Sequence, residues 1–322
     1  MKSIRVHQPG GPEALVLGQT SVPVPGDGEA LIRLEYAGVN FIDVYYRTGL
    51  YPAPLPFTPG VEGAGIVEQV GASVSGLTPG TRVGYQGPLG AYAEYVSVPV
   101  DRVVPLPERV DTRAAAGILL QGMTAHYLAT STFPLRPGHT CVVLAAAGGV
   151  GQHLCRIARR RGARVIACVS TEQKAALARR AGADDVIFYD RQDLAAEVRR
   201  LTSGTGADVV YDSVGQATFE KSLEALRPLG MLVLYGQSSG PVPPFSPQVL
   251  AARGSLFLTR PILGHYTLTG EQLQSRAREV LEWLGQGDLE LQIGLELPLE
   301  EAAEAHRRLQ GRHTSGKVLL RI

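Results

Sequence analysis

This chain of 322 residues has few cysteines and lysines and almost no net charge. Its three cysteines, Cys141, Cys155 and Cys168, are odd in number and too widely spaced for a C-x-x-C metal motif. We therefore expect buried, reduced thiols and a cytoplasmic protein. The formal net charge is +1, so no strong field attracts nucleic acid or an anionic lipid surface.

Long hydrophobic runs are missing as well. No segment reaches the length of a membrane-spanning helix, and the first residues lack the apolar core of a signal peptide. Hydrophobic residues make up 44% and charged residues 19%, which is typical of a soluble globular protein with a sizeable core. A chain of this length predicts about two domains.

The first third of the chain is rich in short β-type runs separated by turns. The runs predict strands over residues 4–6, 30–35, 65–70, 82–85 and 92–98. Turn sequences such as Leu77-Thr78-Pro79-Gly80 lie between them. This density of turns predicts a small β-barrel.

From residue 123 to 259 strand-like and helix-like segments alternate. The predicted strands are 142–144, 164–169, 185–188, 207–211 and 231–235, and the predicted helices are 152–161, 172–180, 194–202 and 219–226. Such alternation predicts a parallel sheet with helices on both faces. Two later helices, 271–283 and 299–309, and a last strand, 316–320, are expected to return to the first domain. The predicted domains are therefore residues 1–122 with 261–322, and residues 123–260.

The most informative motif runs from Ala145 to Gly151, between a β-branched run and a helix-period segment. Its spacing is A-x-x-G-x-x-G, with Ala145 at the first glycine of the dinucleotide fingerprint. Backbone N–H groups at a helix N-terminus attract a pyrophosphate. We expect Gly148 to let the chain turn and Gly151 to let the helix pack closely. The alternative is an ordinary strand-helix turn that needs small residues.

The end of the next strand indicates which dinucleotide binds. NAD enzymes usually have an acidic residue there, but this strand ends at Ser170 and Thr171, and the nearest acid is Glu172. Hydroxyl groups and Lys174 can donate to a 2′-phosphate, and Tyr189 follows the next strand, so the pattern favours NADPH. Two alternatives stay open: Ser170 to Gln173 is also a capping box, and a lone helix lysine is usually solvated.

Several contiguous segments carry a family resemblance. They are Asn40-Phe41-Ile42-Asp43, Pro59 to Gly65, Ala145 to Gly151, Tyr211 to Gly215, and Gly236 to Gly240. Over nearly its whole length the chain resembles the zeta-crystallin-type quinone oxidoreductases of the medium-chain dehydrogenase/reductase superfamily. The resemblance implies a GroES-like β-barrel catalytic domain plus a Rossmann NADP-binding domain, a quinone substrate in the cleft between them, and a homodimer.

The resemblance also implies roles for single residues. Those expected to take part in catalysis are Asn40, Asp43, Tyr45 and Tyr51. Those expected to bind the cofactor are Asn40, Thr124, Ala147, Gly148, Gly149, Val150, Gly151, Ser170, Lys174, Tyr189, Ser213, Gly236, Gln237, Ser238, Leu258, Thr259, Arg260 and Lys317. Gln121 departs from the pattern, because related members have a lysine there.

Zinc-dependent members of the superfamily use a cysteine and a Gly-His-Glu segment as ligands. Here Asn40 stands at the cysteine-like position, and Gly60-Val61-Glu62 has valine in place of histidine. Zinc prefers thiolate and imidazole, so we expect a zinc-independent protein. The histidines show no ligand spacing and are expected to be surface or satisfied side chains: His7, His126, His139, His153, His265, His306 and His313.

Without a metal to polarise a carbonyl, alcohol oxidation would be difficult. A quinone or an activated enone is a better hydride acceptor, and the cofactor supplies the hydride chemistry. The leading hypothesis is an NADPH-dependent quinone reductase. Alternatives are a zinc-free enone or alkenal double-bond reductase, and a non-catalytic NADPH-binding protein of crystallin-like or RNA-associated type. Tyr45 or Tyr51 donates a proton in one hypothesis, and both are wall residues in the other. The apolar run 254–259 predicts an edge strand that pairs with a second copy.

Overall fold

A computed structural model describes residues 1–311 and 314–322, so His313 lies outside the described residues. The chain forms two compact units, Met1–Met123 with Thr267–Ile322, and Thr124–Tyr266. We call the first the barrel unit and the second the Rossmann unit. The assignment of catalysis to one and cofactor binding to the other, with the boundaries given above, stays a prediction.

The barrel unit is built mainly from antiparallel strands. They are β1 (Lys2–Arg5), β2 (Val16–Gln19), β3 (Glu29–Val39), β4 (Glu62–Val70), β5 (Arg82–Gln86), β6 (Tyr95–Pro99), β7 (Val103–Pro105), β14 (Ile293–Pro298) and β15 (Lys317–Arg321). Its helices are α1 (Phe41–Arg47), α8 (Gly270–Gln286) and α9 (Ala302–Gln310), while α2 (Thr112–Tyr127) crosses the unit boundary.

Strand β3 is central in the larger sheet of this unit. The strand order is β14-β15-β3-β4-β5-β7, with β6 also paired to β3. β15 runs antiparallel to β3, so that Val318 lies opposite Val39. The last strand of the chain therefore pairs with a strand of its N-terminal part. The core beneath it contains buried aliphatic side chains such as Ile32, Val67 and Leu320.

The Rossmann unit contains a parallel sheet of six strands. They are β8 (Thr140–Leu144), β9 (Arg164–Val169), β10 (Asp185–Phe188), β11 (Ala207–Asp212), β12 (Leu226–Leu234) and β13 (Phe257–Thr259). Its helices are α3 (Gly149–Arg160), α4 (Glu172–Arg180), α5 (Leu194–Leu201), α6 (Phe219–Glu224) and α7 (Gln248–Ala252). The strand order β10-β9-β8-β11-β12-β13 reverses direction between β8 and β11, as in doubly wound nucleotide-binding sheets.

The three cysteines lie in the interior of this unit as free thiols, as predicted. Cys141 and Cys168 belong to strands β8 and β9, and Cys155 belongs to helix α3. Burial raises the pKa of each thiol, in the case of Cys155 to about 12. They therefore remain protonated and unreactive at neutral pH.

Several predicted boundaries are wrong, and the strand predicted over residues 231–235, for example, begins at Leu226. The strand predicted over residues 92–98 begins only at Tyr95, and the helix predicted to begin at residue 152 begins at Gly149. The helix predicted over residues 219–226 ends at Glu224, because Leu226 already pairs with β11 across an irregular register. Among the described residues, no helix combines the length and the apolarity needed to cross a membrane.

Candidate dinucleotide site and buried polar networks

The parallel sheet brings most of the predicted cofactor residues of the Rossmann unit to one edge. The motif Ala145–Gly151 follows β8, Ser170 follows β9, Tyr189 follows β10, Ser213 follows β11, and Gly236 comes two residues after β12. Carboxyl ends of parallel strands meet at the same edge, and ligands of doubly wound sheets bind there. The topology therefore collects residues that are far apart in the sequence.

The turn after β8 has its unusual conformation at an alanine. Ala145 has a left-handed φ of 50°, whereas Gly148 has a φ of −74° and forms the N-cap of α3. The expectation that Gly148 supplies the turn is therefore wrong, since its backbone suits any residue. Ala145, at the first-glycine position of the fingerprint, adopts the conformation for which glycine is preferred.

The N-terminus of α3 lies directly against this turn. A Cβ atom on Gly151 would be 2.5 Å from the Ala145 carbonyl oxygen and 2.7 Å from the Ala146 Cα atom. Gly148 provides no side-chain cap, so no side chain covers the first N–H groups of the helix from the cap position. Backbone donors at a helix N-terminus fit a pyrophosphate, so the residues present fit a dinucleotide.

Ser170, Lys174 and Tyr189 lie around the ends of β9 and β10. Thr171, and not Ser170, caps α4: its hydroxyl accepts a hydrogen bond from the Lys174 backbone N–H at 3.2 Å. The capping-box hypothesis for Ser170 is therefore wrong. Two adjacent hydroxyl residues satisfy the sequence pattern equally, and the backbone of Thr171 is the one that turns into the helix.

A second cation near this position was missed by the sequence analysis. Arg191 forms an ion pair with Glu172 at 2.8 Å and lies over the Phe188 ring at 4.0 Å. Both charged groups are exposed, so the pair contributes little to stability. It does bind the acidic group that lies nearest to Ser170 in the sequence. The signal was an arginine two residues after Tyr189.

The remaining predicted cofactor residues of this unit lie elsewhere on it. Thr124 is buried in α2. Leu258 and Thr259 lie in β13 and pair with Leu232 and Val233 of β12. Arg260 follows directly, and its guanidinium donates to the Pro261 carbonyl at 3.3 Å.

In the barrel unit, Asn40 and Lys317 belong to a buried network. The Lys317 ammonium forms an ion pair with Glu62, and both side chains are 0% exposed. This ion pair uses Glu62 Oε2, and the other carboxylate oxygen, Oε1, accepts a hydrogen bond from the Leu120 backbone N–H at 2.7 Å. Glu62 is therefore bonded to the backbone as well as to Lys317. A buried carboxylate needs such partners, because an unpaired charge in the interior is costly.

The Asn40 carboxamide uses all of its hydrogen-bonding capacity within this network. Its Oδ1 atom accepts from Lys317 Nζ at 2.9 Å and from Gln121 Nε2 at 3.2 Å. Its Nδ2 group donates to Glu62 Oε2 at 2.9 Å and to the Gly38 carbonyl at 3.2 Å. This geometry favours positioning roles for Asn40 and Lys317, and their direct contact with a cofactor stays a prediction.

The same network contains Asn40 and Glu62, which belong to the segments that the resemblance aligns with the zinc ligands of zinc-dependent members. An amide, a carboxylate and the ammonium bound to that carboxylate form a donor set that does not fit zinc, which prefers thiolate and imidazole. All three cysteines belong to the Rossmann unit. In the part of the chain that the structure describes, no cluster of three or more metal-ligating side chains is found.

A second buried network contains Asp43. Arg47 Nη1 lies 3.3 Å from His306 Nδ1, His306 Nε2 lies 3.1 Å from the Tyr92 hydroxyl, and that hydroxyl donates to Asp43 Oδ2 at 3.1 Å. A guanidinium can only donate, so His306 Nδ1 accepts and the neutral ring carries its proton on Nε2. The hydrogen bonds therefore run in one direction from Arg47 to Asp43.

Burial controls the protonation of both ends of the imidazole–carboxyl pair. It lowers the pKa of His306 to about 3, with a further lowering from Arg47. It raises the pKa of Asp43 to about 7, although hydrogen bonds from the Asn40 backbone and Tyr92 favour the carboxylate. Asp43 Oδ2 also accepts from the Asn40 N–H at 2.8 Å, which fixes the start of α1. Complete burial favours a positioning role for Asp43, and its part in catalysis stays a prediction.

Tyr45 and Tyr51 form an aromatic cluster at the other end of α1. Their ring centroids are 5.3 Å apart, and Tyr46 packs edge-on against Tyr51 at 5.8 Å. The Tyr51 backbone N–H donates to the Tyr45 carbonyl at 3.0 Å. The packing agrees with a wall role, and the proton-donor role stays a prediction.

We predict that Gly151→Ala weakens binding of NADPH at the turn after β8. The added Cβ atom would overlap the Ala145 carbonyl, so the helix must move away from the turn. Overpacking of this kind lowers the free energy of unfolding by about 1–3 kcal/mol. The displaced N–H groups should raise the dissociation constant of NADPH by about tenfold. Calorimetric titration with NADPH and urea unfolding measure the two effects.

Gly285→Ala is the matched control, because Gly285 also lies in a helix but its added Cβ atom would meet only Arg109 Cβ at 4.0 Å. It should leave NADPH binding unchanged and raise stability by up to about 1 kcal/mol. Equal binding by the two variants would contradict the proposed packing at Gly151.

We predict that Asp43→Asn changes how stability depends on pH. The folded-state pKa of Asp43 is about 7 and its ordinary value is 3.8, so the native state binds the proton more tightly than the unfolded chain. This contribution is full below pH 4 and is lost as the pH rises to 7. The free energy of unfolding of wild type relative to Asp43→Asn should therefore fall across that window and stay constant above it.

Urea unfolding of both proteins between pH 4 and pH 8 measures the difference. His306 has the opposite effect, because its lowered pKa makes stability rise as the pH rises from 3 to 6.5. It is present in both proteins and cancels in the comparison. Parallel stability curves would show that Asp43 is ionised across this range.

Comparisons with known proteins agree with this architecture. Residues 149–284 match the zinc-binding dehydrogenase family, and residues 26–108 match the alcohol dehydrogenase GroES-like domain. A quinone oxidoreductase of Pseudomonas aeruginosa is 44% identical over 321 residues, which are 99% of each chain. A 2-haloacrylate reductase of a Burkholderia species is 41% identical over 324 residues, 98% of this chain and 97% of that protein.

A solved structure gives the same result. Escherichia coli quinone oxidoreductase complexed with NADPH has a TM-score of 0.98 and 38% identity to this chain, with 100% of each chain covered. The first family name mentions zinc, which the donor set around Asn40 does not fit. The full-length similarity shows that the chain belongs to the zeta-crystallin-type quinone oxidoreductase family of the medium-chain dehydrogenase/reductase superfamily.

Proposed function

We propose that this protein is an NADPH-dependent quinone reductase that works without zinc. The observation that carries the proposal is the turn Ala145–Gly151, which holds the uncapped N-terminus of α3 at the carboxyl edge of the parallel sheet. The relatives support it, because the Pseudomonas aeruginosa protein is a quinone oxidoreductase and the Escherichia coli structure contains NADPH. The non-catalytic alternative has no such support.

Residues of the Rossmann unit would hold the two ends of the cofactor differently. Gly149, Val150 and Gly151 offer backbone N–H groups to the pyrophosphate. Ser170, Lys174 and Tyr189 provide hydroxyl and ammonium donors for the adenosine 2′-phosphate. Residues after β11 and β12 remain for the nicotinamide half. When bound, NADPH supplies a hydride from its nicotinamide ring.

The overall reaction consumes one quinone, one NADPH and one proton, and gives hydroquinone and NADP⁺. A quinone is already electron-poor, so it needs orientation more than it needs a Lewis acid. The buried networks of the barrel unit orient the segment that begins at Asn40 and contains Tyr45. The proton reaches the quinone oxygen from Tyr45 or Tyr51 if the donor hypothesis holds, and from water otherwise.

A second acceptor class has specific support. The Burkholderia relative reduces 2-haloacrylate, a compound with an activated carbon–carbon double bond, according to its name. Hydride addition to such a bond uses the same cofactor site and also needs no metal. We therefore keep a zinc-free reductase of activated double bonds as the alternative function.

We also propose a homodimer that forms through β13. This strand lies at the end of the parallel sheet, and Phe257 on it is 55% exposed. An apolar edge strand with unpaired backbone groups is a template for pairing with a second copy. A cytoplasmic location remains a prediction that follows from the free thiols.

We predict that Lys174→Ala selectively impairs the use of NADPH. Loss of the ammonium group removes a charge-assisted bond to the 2′-phosphate, so kcat/KM for NADPH should fall by about tenfold while kcat/KM for NADH stays within about twofold. The measurement is oxidation of each cofactor by purified protein with benzoquinones, naphthoquinones, 2-alkenals and 2-haloacrylate.

Lys221→Ala is the matched control, since Lys221 is an exposed lysine in α6 and should change neither value. An equal loss with NADPH and NADH would exclude the 2′-phosphate contact. Turnover with alkenals but not with quinones would favour the alternative function. Cofactor binding without oxidation by any acceptor would refute the enzyme.

We predict that Phe257→Lys shifts the protein from dimer to monomer in sedimentation velocity at micromolar concentration. A lysine on an edge strand opposes pairing because it must be desolvated between two copies. Leu268→Lys is the control, an exposed leucine outside the sheets that should leave the dimer intact. A wild-type monomer under these conditions would rule the dimer out.

A further inference from the structure

The loops that follow β11 and β12 form one locked structure. The β11 loop comprises residues 213–218 and the β12 loop comprises residues 235–240. Three backbone hydrogen bonds join them, from Ser238 to Ser213 at 3.1 Å, from Ser239 to Val214 at 2.8 Å, and from Gln216 to Gly240 at 3.1 Å. The Ser239 hydroxyl adds a bond to the Val214 carbonyl at 2.7 Å.

The two loops also approach so closely that two positions admit only glycine. A Cβ atom on Gly236 would lie 2.7 Å from the Ser213 carbonyl oxygen. One on Gly215, which has a φ of 87°, would lie 2.7 Å from the Gly240 carbonyl oxygen. Movement of either loop therefore requires movement of the other.

Asp212, the last residue of β11, organises the loop that follows it. Its side chain is 0% exposed. Oδ1 accepts hydrogen bonds from the backbone N–H groups of Val214 at 2.7 Å and Gly215 at 3.0 Å. Oδ2 accepts from the hydroxyls of Thr218 at 2.7 Å and Ser222 at 2.8 Å. All four donors are neutral groups.

A buried carboxylate is tolerated only when its acceptor capacity is used. Charge-assisted hydrogen bonds are about twice as strong as neutral ones, so these four donors have one favoured arrangement. Two of them are consecutive backbone groups of the β11 loop. The Asp212 backbone carbonyl also accepts from the Tyr235 N–H at 2.8 Å, at the start of the β12 loop. One residue therefore contacts both loops.

The position of these loops on the sheet indicates which part of a ligand they serve. A doubly wound sheet binds one mononucleotide on each half, and the first half, β8 to β10, contains the pyrophosphate turn and the adenosine side. The second half, β11 to β13, remains for the other mononucleotide. Ser213, Gly236, Gln237 and Ser238 all lie on the two loops.

We infer that Asp212 is a positioning residue that fixes the nicotinamide half of the cofactor site through the β11 and β12 loops. The inference rests on the proposed NADPH-binding function. In this role Asp212 touches no cofactor atom itself. Its consequence is a selective one: loss of the carboxylate should disturb binding of the nicotinamide mononucleotide and leave the adenosine half intact.

The test compares two ligands on the full-length protein. NADPH spans both halves, whereas adenosine 2′,5′-bisphosphate contains only adenosine with its 2′- and 5′-phosphates. Asp212→Asn is nearly isosteric but exchanges two acceptor sites for donors. In calorimetric titrations we expect it to raise the dissociation constant of NADPH by about tenfold and that of the bisphosphate by less than about twofold.

Asp208→Asn is the matched control. Asp208 lies at the opposite end of the same strand and accepts hydrogen bonds from the Thr140 N–H and from Arg227, each at 2.7 Å. It should change neither dissociation constant. If Asp212→Asn does not fold, Thr218→Val with Ser222→Ala keeps the carboxylate and removes two of its donors. This double variant should also raise the dissociation constant of NADPH selectively, but by a smaller factor.

The outcomes separate the two proposals. Failure of the wild-type protein to bind either ligand would refute the NADPH site itself. Wild-type binding of both ligands, with equal weakening of both or of neither in Asp212→Asn, would leave that site standing and overturn the role of Asp212. Selective loss of NADPH binding would support it.

Discussion

The close contact between α3 and the turn after β8 is the constraint on which the candidate site depends. It exists because residue 151 has no side chain, and the Ala145 carbonyl fills the place that a Cβ atom would take. The contact keeps the first N–H groups of α3 at the carboxyl edge of the sheet. Helix, turn and strand thereby present a positive backbone end to the same edge that carries Ser170, Tyr189 and Ser213.

Both units hold their functional segments with buried polar side chains, but they do so differently. In the Rossmann unit, Asp212 uses neutral donors from the adjacent loop. In the barrel unit, α1 is fixed at both ends by the C-terminal part of the chain. Lys317 bonds to Asn40 before its first residue, and His306 bonds to Arg47 at its last. Loss of one partner from such a buried pair is strongly destabilising, because it leaves a buried charge without its partner.

Much of the Rossmann unit was predictable because its signals are local. The observed strand Arg164–Val169 and helix Glu172–Arg180 have the predicted bounds, since hydrophobic period and flanking turns both lie within a few residues. The cap of α4 was not predictable in the same way. Ser170 and Thr171 carry equivalent hydroxyls, and only the backbone conformation selects Thr171. The barrel strand after residue 92 was placed too early for a similar reason, because apolar residues occur both in the loop and in the strand.

The sequence by itself determined the order of the elements, the dinucleotide turn, and the absence of cysteine and histidine from the position of the zinc ligands. The first two follow from residue types at short spacing, and the third follows from the family resemblance. Only the tertiary structure decided how the buried charges pair, because the partners are remote. Lys317 bonds to Glu62, which is 255 positions away, and to Asn40, which is 277 positions away. Desolvation makes such pairing obligatory in the interior, yet it leaves no pattern in the linear chain that says which carboxylate or amide will be the partner.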